Sequence, residues 1–126
     1  MAGHKGSKYY DVFLDYTIVL RERNTNQSIL TQEQLCLLLN IDDLESIAAS
    51  AKKMDISYRK AWELVRRAEE ELGFPLVSKS RGGSDGGKSE LTSDGKQLVD
   101  AYRQLRNEFN ESVKRVVKNF FQTINR

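Results

Sequence analysis

The chain has 126 residues, 39% of them hydrophobic and 30% charged, and its 20 basic and 18 acidic side chains leave a net charge of +2. This size suits one globular domain with its own core, and no run of eighteen apolar residues offers a membrane span. A single cysteine and a single histidine exclude an internal disulfide, a cysteine-based metal cage and most nucleophile–base pairs.

Residues 1–10 begin polar and basic, with no apolar stretch before a cleavage site, so they read as a disordered tail rather than a signal peptide. The expected location is the cytoplasm. Residues 12–21 are rich in aromatic and β-branched side chains and predict a strand, returning through a polar turn at residues 23–27 to a short strand at residues 28–30. Thr31 with Gln34 fits a capping box, so a helix should follow to about Ile41. Cys36 stands among leucines there and predicts a small buried thiol.

Residues 42–45 interrupt the pattern, and Ser46 can cap a short helix over residues 47–54. Ser57 caps a longer one to Leu72, which Gly73 and Pro75 terminate. Short helix, tight turn and longer helix make a helix-turn-helix. A strand at residues 76–79, a glycine-rich loop at residues 82–87 and a strand at residues 89–91 form a wing. Thr92 caps a long final helix to about Ile124.

On a helical wheel of residues 57–72, Ala61, Val65, Ala68 and Leu72 share the core face, while Arg59, Glu63, Arg66 and Glu70 lie opposite. Tyr58 and Trp62 occupy one flank, Trp62 serving either as a wing-packing residue or as a base or sugar contact. Lys52, Lys53, Arg59, Lys60, Arg66 and Arg67 load residues 46–67 with positive charge, and Glu69, Glu70 and Glu71 close the helix. This gradient opposes the helix dipole, which favours anions at the N-terminus by roughly 0.3–1 kcal/mol each. Binding to DNA phosphates supplies a reason for it.

Gly82 to Ser89 match the phosphate-loop pattern G-x-x-x-x-G-K-[ST]. A true phosphate loop needs a helix beginning at the lysine, whereas Glu90, Leu91 and Thr92 predict a strand and a cap. Nucleotide hydrolysis is not expected. A wing tip flanked by Lys79, Arg81 and Lys88 suits a phosphate backbone or a minor groove instead.

Ser46 to Ala51, Ile56 to Trp62, Leu76-Val77, the Gly82-Gly83…Gly86-Gly87 loop and Leu91-Thr92…Gly95 resemble the amino-terminal DNA-binding domain of molybdate-responsive regulators of the ModE type. The resemblance covers about residues 29–106. The helix-turn-helix portion is also similar to the broader LysR-type domain. What it implies is a winged helix-turn-helix that reads DNA with the helix from Ser57 and dimerises through helices outside it. Full-length members carry a molybdate-binding domain after the long helix, and this chain ends at Arg126. Molybdate sensing is therefore not expected to carry over, leaving any effector to a separate sensing protein.

In the last helix Leu98, Tyr102, Leu105, Phe109, Val113, Val116, Phe120 and Ile124 recur at spacings of three and four, and this stripe predicts a dimer seam. The expected architecture is mainly α with a small β wing: a winged helix-turn-helix over residues 11–91, opened by a β-hairpin, and a dimerisation helix over residues 92–126. The expected function is sequence-specific binding of double-stranded DNA by a homodimeric transcriptional regulator. No catalysis, cofactor, metal or membrane is expected. Tyr58, Arg59, Lys60, Trp62 and Arg66 are the groove and phosphate contacts, Ser46 and Ser57 offer helix N-termini to phosphates, and Lys79, Arg81 and Lys88 serve the wing. The alternative is a winged-helix adaptor that binds protein and has lost DNA binding.

Overall fold

Thr31 closes an amino-terminal hairpin and starts the first helix. The computed structural model describes residues 5–80 and 88–125, with the backbone alone at Lys79 and Ser80. It divides into two compact units, Ile18–Ala101 and a second made of the residues up to Thr17 together with those from Tyr102 onward.

In the first unit, β1 (Leu20–Arg21) pairs antiparallel with β2 (Ser28–Leu30), Leu20 opposite Leu30 and Arg21 opposite Ser28, with an irregular register between them. The strand expected over residues 12–21 is cut to its last two residues. β propensity cannot hold a strand without a ladder partner, and the return strand is only three residues long.

The capping box forms as expected: Thr31 Oγ1 accepts from Gln34 N–H at 3.1 Å and Gln34 Oε1 accepts from Thr31 N–H at 2.9 Å. Helix α1 (Gln32–Leu44) runs three residues beyond the expected end at Ile41 and stops at Glu45, which adopts the left-handed conformation (φ 52°, ψ 36°). Asp42 and Asp43 do not break it, because its closing signal is that backbone turn. The helix buries Leu35, Leu37, Leu38 and Ile41 and turns Cys36 outward, against the expectation of a buried thiol. Flanking leucines mislead there, since adjacent helical residues point about 100° apart.

Helix α2 (Ile47–Lys53) is capped by Ser46, whose Oγ accepts from Ala49 N–H at 3.0 Å. The turn into α3 (Tyr58–Leu72) places Asp55 at a φ of 57°, a conformation that Asp tolerates better than most residues. Ser57 Oγ accepts from Lys60 N–H at 3.0 Å, and Gly73 ends the helix at a φ of 87°. Ala61, Val65 and Ala68 are buried as the wheel predicts, joined by Leu64, while Leu72 is half-buried. The small Ala51, Ala61 and Ala68 allow the three helices to approach closely.

The wing strands β3 (Val77–Ser80) and β4 (Lys88–Leu91) pair antiparallel, Val77 opposite Leu91 and Ser80 opposite Lys88. Two ties fix this hairpin. Glu69 on α3 accepts the N–H groups of Leu76 and Val77 at 2.6 and 3.2 Å. Thr92 donates its N–H to Leu76 O at 2.9 Å and its hydroxyl to Pro75 O at 2.8 Å, while its Oγ1 accepts from Gly95 N–H at 3.0 Å and so caps α4 (Ser93–Ile124).

The second unit holds the rest of α4 and the chain before Ile18. Residues 5–10, expected as a disordered tail, lie in turns, where Ser7 donates its hydroxyl to Asn125 and its backbone oxygen accepts from Tyr10 N–H at 3.1 Å. Tyr16 donates its hydroxyl to Asn110. Tyr102, Val117 and Phe121 are buried, whereas Leu105, Phe109, Val116 and Phe120 of the expected seam are exposed. Leu98, Val113 and Ile124 are half-buried. The apolar residues of this helix therefore form two faces rather than one, and Val117 and Phe121 belong to the face the stripe omitted.

Candidate nucleic-acid interface

Capping by Ser57 fixes the start of α3, and burial of Ala61, Leu64, Val65 and Ala68 fixes its rotation. Tyr58, Arg59, Glu63, Arg66 and Arg67 then face solvent, with Lys60 and Trp62 half-buried at the flanks. A shallow groove of about 350 Å³ runs along Arg59, Glu63, Arg66, Arg67 and Glu70. The rings of Tyr58 and Trp62 meet edge to face, with centroids 6.4 Å apart and an interplanar angle of 86°. Trp62 is thereby supported beside the first turn, with part of its surface still exposed.

Among the described residues none of Lys52, Lys53, Arg59, Lys60, Arg66 and Arg67 enters an ion pair, although Glu63, Glu70 and Glu71 share the helix. Lysines elsewhere are engaged: Lys96 pairs with Asp42 and Asp100 at 3.1 and 3.2 Å, and Lys114 with Glu111 at 3.5 Å. The charge gradient also gains a partial structural account. Glu69 sits at the helix's C-terminal end because it anchors β3, and no dipole argument is needed for it.

The remaining expected contacts are less uniform. Ser46 and Ser57 use their hydroxyls to cap their own helices, so any phosphate would meet the backbone N–H groups beside them. Lys79 lies on β3 with its side chain outside the described atoms, and Arg81 and the glycine loop lie outside the described residues. Lys88 is held by Glu45 at 2.8 Å and Glu90 at 3.4 Å. The hydrogen bond to Glu45 is the main cause that raises its pKa above the ordinary lysine value, so it stays charged. Sequence reasoning missed Glu45 as a neighbour of the wing. Its signal is tertiary, for a hairpin must form to bring β4 to the end of α1. It also left Arg67 out of the contacts; this residue shares a polar cavity of about 390 Å³ with Lys60, Thr31, Glu33 and Glu71.

The phosphate-loop match fails structurally at its last two positions. Lys88 and Ser89 begin a strand, not the helix whose amides would cradle a nucleotide. Among the described residues no cluster of three His, Cys, Asp or Glu could hold a metal, and no helix is long and apolar enough to cross a membrane.

The helix-turn-helix and wing, from the first residue of α1 to the first turn of α4, coincide with a family match. The model for bacterial regulatory helix-turn-helix proteins of the lysR family matches residues 32–96, just over half of the chain. The chain belongs to this family. Relatives of this LysR-family chain include the molybdenum-pterin-binding protein MopB of Rhodobacter capsulatus, 37% identical over 70 residues that cover 56% of this chain and 26% of the relative. The molybdenum transport protein ModE of Azotobacter vinelandii is 32% identical over 87 residues, covering 69% of this chain and 32% of the relative. The chain thus spans about a third or less of the length of these curated relatives. Among solved structures, the CbnR DNA-binding domain in its DNA complex superposes with a TM-score of 0.57 at 23% identity, covering 69% of this chain and 94% of that one. The winged-helix fold and the resemblance expected from the sequence are both borne out.

Proposed function

We propose that this LysR-family chain binds double-stranded DNA sequence-specifically, as a homodimer, to regulate transcription in the cytoplasm, and that it is not an enzyme. The observation that carries the reading is the row of cations on α2 and α3 that pair with no acid among the described residues. A helix of 15 residues behind a short helix and a turn is the element that enters a major groove, and its exposed first turns carry Tyr58 and Arg59. Arg59 suits bidentate contact with a guanine edge, and Lys60, Arg66 and Arg67 suit phosphates. The exposed Leu105, Phe109, Val116 and Phe120 of α4 support the homodimer, since an apolar helical stripe is stable in water only when another surface covers it.

The test is a fluorescence titration of the protein on selected and scrambled duplexes at several salt concentrations. DNA binding gives affinity that falls steeply with salt, together with a preference for the selected site. A winged-helix adaptor would give weak binding, equal on both duplexes, and that result would refute the proposal.

A further inference from the structure

Glu45 occupies an unusual place. It ends α1 in the left-handed conformation, immediately before the Ser46 cap of α2, and its backbone oxygen accepts from Ser89 N–H at 3.1 Å. Its carboxylate reaches the Lys88 ammonium at 2.8 Å. One residue therefore ties the second wing strand to the start of the helix-turn-helix twice, once through backbone and once through charge. A non-glycine residue at a φ of 52° is energetically unfavourable, by roughly 1–2 kcal/mol for most side chains. Glycine or asparagine would serve the backbone better, so the carboxylate is the feature that distinguishes glutamate here.

Building on the DNA-binding reading above, we propose that Glu45 is a positioning residue of the interface, whose carboxylate holds Lys88 against the α1–α2 junction and competes with a DNA phosphate for it. The pair is exposed, at 54% and 51% of side-chain surface, so water and a phosphate can both reach it. Glu90, 3.4 Å from the same ammonium, adds a second negative charge beside it. For Lys88 to neutralise a phosphate, Glu45 must release it and stay close by as a fixed anion. The wing is thereby restrained in its sequence-independent attraction to DNA, and base reading by α3 carries more of the discrimination against bulk DNA. This is the opposite of what a lysine on a wing suggests when its acidic neighbours are ignored.

The test compares wild type, Glu45→Gln, Glu45→Asp, Lys88→Ala and the Glu45→Gln/Lys88→Ala double variant on selected and scrambled duplexes across salt concentrations. Glutamine keeps the size, the backbone turn and the Ser89 hydrogen bond but removes the charge. Glu45→Gln should bind both duplexes several-fold more tightly at low salt and steepen the salt dependence by about one unit, the signature of one further phosphate contact. Glu45→Asp, which keeps the anion, should stay near wild type. Lys88→Ala should cost more in the Glu45→Gln background than in the wild-type background. A purely structural role for Glu45 predicts weaker binding and a lower melting temperature in Glu45→Gln, with no change in salt slope. That outcome, or additive losses, overturns the proposal while leaving DNA binding intact. A wild-type protein with no salt-dependent affinity for any duplex overturns the DNA-binding reading and this proposal with it.

Discussion

A methyl group built on Gly95 would stand 2.3 Å from the carbonyl oxygen of Leu76 and 3.1 Å from its carbonyl carbon. The close approach follows from Thr92, which bonds the backbone of Pro75 and Leu76 while capping α4, and so draws the first turn of that helix onto the start of the wing. Glycine is required here for space, since its φ is not in the left-handed region. Gly95→Ala should destabilise the chain by about 1–3 kcal/mol, the range for forcing atoms into a packed site, and lower the thermal midpoint accordingly. An unchanged melting temperature would mean that the wing and α4 are not held this close.

A second prediction concerns Glu69. Its carboxylate is the acceptor for two backbone N–H groups, of which that of Leu76 belongs to a fully buried residue. Glu69→Ala strands both donors and should cost about 1–3 kcal/mol in urea unfolding, with Glu69→Gln recovering part because its amide oxygen still accepts. Glu70 is exposed, and Glu70→Ala should change stability by no more than about 0.5 kcal/mol. Equal effects at the two positions would deny Glu69 its anchoring role.

These residues mark how far the sequence could be read. Thr31, Ser46, Ser57 and Gly73 announce helix ends through local chemistry, and each stands where such chemistry puts it. Glu69 reads in the sequence as one of three like charges against a dipole, because its partners at Leu76 and Val77 are chosen by the chain reversal after Gly73. Lys88 likewise reads only as a wing cation for DNA, because Glu45 reaches it only after α1 and β4 come together. Residues 12–19 carry strand propensity, yet among the described residues no regular strand forms there, and Tyr16 meets Asn110 instead. Periodicity located α4 but could not divide its apolar residues between an inner face at Tyr102, Val117 and Phe121 and an outer one at Phe109 and Phe120.

That division gives a third prediction. Phe109 and Phe120, 49% and 50% exposed, should matter to assembly and little to the fold. The pair Phe109→Glu and Phe120→Glu should yield a monomer in light scattering with its helical circular dichroism retained. Phe121→Ala, at a buried position, should lower stability by about 3–5 kcal/mol. A dimer that survives both glutamates would place the seam elsewhere.

The hairpin turn offers a pH test. Glu22 accepts from Thr25 N–H at 2.6 Å, and hydrogen bonds from the Thr25 and Asn24 backbone hold its carboxyl below the ordinary value of 4.5. A depressed carboxylate pKa stabilises the fold above the unfolded value, and the contribution is lost as pH falls through the lower folded value. Carboxyl chemical shifts should show Glu22 titrating below 4.5, with the Thr25 amide moving in step. Titration at the ordinary value would remove the turn's ionic support.

Arg59 carries the sharpest functional prediction. It stands in the first turn of α3, exposed and in no ion pair among the described residues, beside a tyrosine that is 50% exposed. An arginine in that position reads a base edge if the helix enters the groove by its N-terminal end, and Arg59→Ala should then cost about 1–3 kcal/mol on the selected site with a relaxed preference at one position. Arg66 and Arg67, further along the helix, should weaken all sequences alike and flatten the salt dependence by about one unit per lost phosphate contact. The contrast is the decisive quantity, because general loss of positive charge lowers affinity everywhere and leaves the ratio between selected and scrambled DNA untouched. Titrating the three alanine variants on both duplexes at matched salt separates the two effects. If Arg59→Ala preserves that ratio, recognition passes to Tyr58 or to the wing, and the first turn of α3 is not the reader.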